Sequence, residues 1–449
     1  MSVRPRVGMI SLGCAKNLVD SEVMLGHLDR AGCEFVADAA DADVVVVNTC
    51  GFIGPAREES IQAILEVAEL KKTGRLSKLV VAGCMVQRYA AELRDSLPEV
   101  DAFVGLDELS EVAERAGLVP GPARALAAVA GGSRYLYDHA APRRLATPAW
   151  TAFVKIAEGC DHTCSFCAIP SFRGAFRSRP IADVVAEARQ LTARGVAEIN
   201  LVAQDSSHYG RDRGEHDALA RLLEALNEVD GVRWIRVHYL YPNTITPALI
   251  DAMARLPRVV KYVDIPLQHA DPDVLRRMRR GGGAPEHLEL LGRFREAMPD
   301  VALRTTFIVG FPGESDAEFE RLERFVATAH FDNVGVFTYS HEDGTAAHRL
   351  ADDIPEDVKQ GRRERLLAIQ QDVVLERNAR MLGRVVEVVV EGPHPETDLL
   401  LAARMSTQAP EVDGQVLIND GAARPGSFVR VEITETAGYD LVGRIVGRA

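Results

Sequence analysis

Three cysteines on one short stretch, Cys160, Cys164 and Cys167, constrain this chain more than any other feature. The C-x3-C-x2-C spacing puts three thiolates on one tight loop. Such a loop can bind three irons of a cubane cluster and leave the fourth without a protein ligand. An iron with an open position can bind a substrate and act on it. A three-cysteine zinc site or buried structural cysteines are the alternatives. Zinc favours paired C-x2-C spacings with a fourth ligand, and His162, inside the loop, is too constrained by its neighbours to serve as one.

Residues 153–157, just before the loop, read as a β-strand. Further strands are predicted at 198–203, 234–238, 262–266, 303–309 and 334–339, with helical patterns such as 181–194 and 217–229 between them. Alternating strands and helices imply a parallel sheet. Six repeats predict a partial (β/α)6 barrel with the cysteine loop at its C-terminal mouth, where active sites of such folds sit. A long polar helix over 355–382 closes this part. Upstream, 7–10, 44–47 and 79–82 are β-branched strands separated by helical stretches, which predicts an open parallel-sheet domain. Downstream, strands at 384–391, 399–404, 415–419, 427–436 and 440–446 predict an OB-like β-barrel. The expected division of this α/β chain is 1–117, an Ala-, Pro- and Gly-rich linker over 118–149, 150–382 and 383–449. A chain of 449 residues is too long for one ordinary core, which agrees with several domains.

Cys14, Cys50 and Cys84 form a second set. Each lies at or within a few residues of the end of a predicted parallel strand, the edge where open α/β sheets bind ligands. Gly13, Gly51 and Gly83 flank them and let backbone approach a bulky group. Small buried cysteines also end strands for packing reasons alone. Cys33 has no such setting and reads as a core residue. Seven cysteines is an odd number, and a chain with neither a signal-peptide pattern in residues 1–10 nor a membrane-length apolar run is expected in the cytoplasm, where disulfides are not expected.

Cys14, Cys50 and Cys84 together with Cys160, Cys164 and Cys167 resemble the radical S-adenosylmethionine methylthiotransferase family, over essentially the whole chain. The resemblance implies an N-terminal methylthiotransferase domain, a radical core and a C-terminal TRAM domain. It implies two [4Fe–4S] clusters. The one at Cys160, Cys164 and Cys167 cleaves S-adenosylmethionine to a radical that takes hydrogen from the substrate. The other, at Cys14, Cys50 and Cys84, is implied to carry the sulfur. It further implies an electron donor such as flavodoxin or ferredoxin and a sulfur source. By the same likeness Phe166 packs near the adenine, and the 307–314 stretch, with Gly310 and Glu314, forms a cofactor-binding edge. Loop packing, and a turn into a helix capped by Ser315 and Asp316, are the plainer readings of the two. Gln204 and Gln268, at strand ends on the barrel mouth, are further candidates, as are Asp205 and His269. Arg304 could meet a carboxylate of the cofactor or form a structural ion pair. Arg276, Arg277, Arg279 and Arg280 read as a solvated helix end.

Within the family some members modify tRNA adenosine and others the β-carbon of an aspartate in ribosomal protein S12. Gly13, Cys14, Lys16, Asn17, Asp20 and Glu22 resemble the ribosomal-protein branch, as does the 265–270 stretch. Charge argues the same way. The net charge of −13 repels phosphate backbones. Residues 384–449 hold six arginines against ten carboxylates, no lysine and two aromatics, Phe428 and Tyr439, unlike an RNA-binding barrel. The expected partner is S12, free or in the small subunit, with no membrane and no tRNA. Methylthiolation of tRNA, or an iron–sulfur electron-transfer or scaffold role, are the competing expectations.

Overall fold

The computed structural model describes residues 4–120 and 132–449. Strands β1 (Arg6–Ser11), β2 (Glu34–Phe35), β3 (Val44–Thr49), β4 (Lys78–Gly83) and β5 (Ala102–Val104) form one parallel sheet in the order β2-β1-β3-β4-β5. The β3 sequence VVVVNT is buried throughout because helices cover both faces, so its apolar residues run continuously rather than alternating. Three helices supply that cover: α1 (Ala15–Arg30), α2 (Gly54–Lys72) and α3 (Cys84–Ser96). Strands β2 and β5 were not anticipated, and at two and three residues they are too short to show a period.

The central unit begins with β6 (Thr151–Lys155), followed by the short antiparallel pair β7 (Ala157–Glu158) and β8 (Arg177–Ser178). Then come β9 (Glu198–Val202), β10 (Trp234–Val237), β11 (Tyr262–Gln268), β12 (Ala302–Val309) and β13 (Asn333–Thr338). Strands β6, β9 and β10 make one parallel sheet and β11, β12 and β13 another; a parallel bridge between Ile235 and Val259 joins them. The result is the expected incomplete barrel of six strands in sequential order. Its outer helices bury one large apolar core, exemplified by Leu222, Leu226, Phe294, Phe307 and Leu322. Helix Glu356–Ala379 lies across the last repeat, where Arg362 pairs with Glu314 at 3.1 Å and Asp316 at 2.8 Å.

Strands β14 (Val385–His394), β15 (Thr397–Met405), β16 (Val416–Asp420), β17 (Phe428–Ala437) and β18 (Asp440–Arg448) close into a barrel in the order β14-β15-β16-β18-β17. That order, with β17 returning to β14, is the OB arrangement. The barrel docks on the central unit through Trp234 against Phe428, centroids 4.9 Å apart, and through Arg404, whose guanidinium reaches Glu198 at 2.6 Å. Part of the predicted linker, 121–131, lies outside the described residues. From Gly132 on, the chain wraps between units: buried Arg143 bridges Glu22 of α1 at 2.5 Å and Glu187 at 2.6 Å. Among the described residues no helix is long and apolar enough to cross a membrane.

Candidate active site

Each cysteine of the N-terminal set sits where a β-strand hands over to a helix. Cys14 is the N-cap of α1, Cys84 is the first residue of α3, and Cys50 directly follows β3. Helix N-termini favour thiolates because unpaired N–H groups point at them. The three lie near enough for Cys14 and Cys50 to act electrostatically on Cys84. At Gly13, which has φ +88°, a Cβ would lie 3.1 Å from the Cys50 Sγ. At Gly83, with φ +98°, a Cβ would lie 2.1 Å from the Asn48 Oδ1. Only glycine fits both, so the backbone is drawn in around the thiols. Burial pushes the Cys84 thiol up to about 12, although an Arg173 Nη2 donates to its Sγ at 2.8 Å. Burial would raise Cys14 too, but Lys16 and Arg173 outweigh it and hold that thiol below its ordinary value.

The second set lies on the loop after β7. The Cys160 N–H donates to the Gly174 carbonyl and the Cys167 N–H to the Cys164 carbonyl, which fixes the loop's curvature. Burial drives Cys160 and Cys167 up to about 12, and the charge of Cys164 adds to both rises. His162 is held in place within the loop: its Nε2 is 2.7 Å from Asp205 and its ring stacks on Tyr241 with centroids 3.9 Å apart.

A cavity of about 480 Å³ opens between the three units. Cys14 lines it, and so do Cys160, Cys164 and Cys167. Phe166, Gln204, Gln268 and Arg304 line it as well, and Pro410, Glu411 and Val412 of the C-terminal barrel complete the wall. The side-chain oxygens of Gln204 and Gln268 are buried without a hydrogen-bond partner, and so are free acceptors. Arg304 resolves as an ion pair, with Asp264 at 3.1 Å and Asp413 at 3.5 Å, while still facing the cavity. Cys50 and Cys84 are not on the cavity wall. Gly310 and Glu314 lie away from it: a Cβ at Gly310 would meet Lys359, and Glu314, pushed up to about 7 by burial, pairs with Arg362.

Arg280 differs from the solvated helix end expected of it. Arg279 takes φ +56°, which turns the chain so that Arg280 enters the cavity while Arg279 stays exposed. The Arg280 guanidinium lies 4.3 Å over Tyr241, donates to the Pro266 carbonyl at 2.7 Å and comes within 3.8 Å of the Cys164 Sγ. Lys16 and Arg173 also gain importance only through tertiary contacts. No spacing signal in the sequence distinguishes these three cations from surface ones.

The donor sets fit clusters better than single ions. Among the described residues no three cysteine sulfurs lie within 4.8 Å of one another, whereas thiolates sharing one zinc at about 2.3 Å would be closer than that. Thiols pushed this far up become ligands when a cation replaces their protons.

Residues 154–326 match the Radical SAM superfamily, 6–105 the family described as Uncharacterized protein family UPF0004, and 382–446 the TRAM domain. Together they define a radical S-adenosylmethionine enzyme with a module on either side of its core. The chain is 52% identical over 443 residues to the ribosomal protein uS12 methylthiotransferase RimO of Anaeromyxobacter sp. (strain K), covering 99% of this chain and 94% of that protein. It is 46% identical over 448 residues to the protein of the same name from Geobacter sulfurreducens, covering 99% of each. The chain belongs to the ribosomal protein uS12 methylthiotransferase family. Among solved structures, the radical S-adenosylmethionine methyltransferase TsrM from Kitasatospora setae, with tryptophan and a SAM analogue bound, superposes with a TM-score of 0.53 at 15% identity. The match covers 74% of this chain and 73% of that one, a likeness of fold.

Proposed function

We propose that this chain methylthiolates the β-carbon of an aspartate in ribosomal protein S12 by radical S-adenosylmethionine chemistry. The observation that carries the reading is one cavity lined by Cys14 of the first cysteine set and by all three cysteines of the second. Cys160, Cys164 and Cys167 would hold one [4Fe–4S] cluster and Cys14, Cys50 and Cys84 the other. When bound, these groups with S-adenosylmethionine supply the electron, the hydrogen-abstracting radical and the sulfur.

The protein's part is positioning. Phe166 and Tyr241 offer flat faces beside the second cysteine set. Gln204 and Gln268 present free acceptors to N–H donors of a bound molecule. Arg280 places positive charge beside Cys164, suited to an amino-acid carboxylate seated there. Pro410, Glu411 and Val412 supply part of the cavity wall. An acidic C-terminal barrel and a net charge of −13 suit a basic ribosomal protein better than tRNA. Electrons come from a carrier such as flavodoxin or ferredoxin, sulfur from a separate donor, and the setting is the cytoplasm.

The test is an anaerobic turnover with both clusters rebuilt, supplied with reductant, sulfide and S-adenosylmethionine, and with S12-containing subunits and tRNA in separate tubes. Mass spectrometry is expected to find one added methylthio group on S12 and none on tRNA. Modified tRNA with unmodified S12 would overturn the substrate; no 5′-deoxyadenosine in either tube would overturn the chemistry.

A further inference from the structure

Three cations line the cavity: Lys16, Arg280 and Arg304. Arg304 is committed to Asp264 and Asp413. Arg280 belongs to the side of Cys164. Lys16 lies beside Cys14, whose thiol its charge holds down, and among the described residues it forms no ion pair with a carboxylate. Its Nζ lies 3.7 Å over the Tyr239 ring and reaches the Ala203 carbonyl only at 3.5 Å. The nearby carboxylate of Glu158 is already held by Lys155, Arg173 and Gln204. Only 7% of Lys16 is exposed, so an ammonium with three donors is buried with little to receive them. Its N–H groups therefore have room for acceptor oxygens from a bound anion.

We propose that Lys16 receives the carboxylate of the substrate aspartate, and thereby selects that side chain and sets its reacting carbon between the two cysteine sets. The assignment rests on the functional reading given above. In an aspartate the β-carbon is bonded directly to the carboxyl carbon. A hold on the carboxylate therefore fixes the reacting carbon one bond away, on the Cys14 side of the cavity. An adenine base has no carboxylate to offer, so the same residue favours the protein substrate over a nucleoside. Arg280, beside Cys164, leaves a second anionic seat to the methionine moiety of the cofactor.

The test uses holoenzyme with both clusters rebuilt, as wild type, Lys16→Met and Lys16→Arg. Each is given S12 carrying the target aspartate, or S12 with asparagine in its place. Affinity is read by fluorescence anisotropy and methylthiolation by kcat/KM; iron and sulfide content and the electron paramagnetic resonance of both clusters are recorded alongside. Wild type is expected to prefer aspartate by about 100-fold in both readouts. Lys16→Met is expected to show no preference at unchanged iron content, and Lys16→Arg to keep the preference in binding. A Lys16→Met enzyme that still prefers aspartate overturns the assignment. So does one that loses iron from the N-terminal set, because Lys16 would then be balancing cluster charge. Modification of S12 with no effect of Lys16→Met removes the role of Lys16 alone. Modification of tRNA in place of S12 removes the functional reading first and this assignment with it.

Discussion

Asp20, Lys155, Glu158 and Arg173 form a buried quartet between α1 and the central unit. Lys155 reaches Asp20 at 2.5 Å and Glu158 at 2.7 Å, and Arg173 reaches the same two at 2.9 and 3.0 Å. Two cations against two carboxylates balance, and Arg173 extends the network to Cys84. Breaking a buried pair by removing one partner leaves the other charge uncompensated. Arg173→Met is therefore expected to lower unfolding stability by about 3–5 kcal/mol, measured by urea titration of the cluster-free protein. At this scale the cysteines were legible, because their position at strand ends and their loop spacing are written in the chain. The quartet was not, since nothing local relates Asp20 to Arg173. Arg280 is hidden for a similar reason: its neighbours have the pattern of a helix end, and one left-handed residue, Arg279, reverses its direction.

The elements were largely legible, because strand periodicity and turn residues are local. All six barrel strands and all five strands of the last domain appear close to where their patterns place them. What patterns cannot show is how one element docks on another. The C-terminal barrel holds to the central unit through Glu198 of β9, which is buried between Arg404 and Arg236. Burial alone would raise the Glu198 pKa, but Arg404 and Arg236 prevail and lower it from 4.5 to about 2. A depressed carboxylate contributes stability above its unfolded pKa and loses it as pH falls toward the folded value. Between pH 4.5 and about 2 this group is expected to forfeit on the order of 3 kcal/mol. Unfolding free energies measured against pH should show that loss in the wild type and a flatter dependence in Glu198→Gln, which has no proton to gain.

Across the whole molecule, a net charge of −13 sets up a field that reaches beyond any single contact. Attraction to a basic ribosomal protein is expected to be strongest at low salt. The association rate with S12, followed by stopped-flow fluorescence, should fall by about tenfold between roughly 0.05 and 0.5 M salt as screening shortens that reach. An unchanged rate would mean that local contacts alone govern encounter.

The cavity's wall at Pro410, Glu411 and Val412 comes from the third unit in chain order. During synthesis the N-terminal sheet and the partial barrel emerge first, and units fold as they emerge. The chamber lined by Cys14, Cys160, Cys164 and Cys167 therefore lacks that stretch of wall until the last unit has been made. The order of the genetic message thus sets the order in which the chamber is walled.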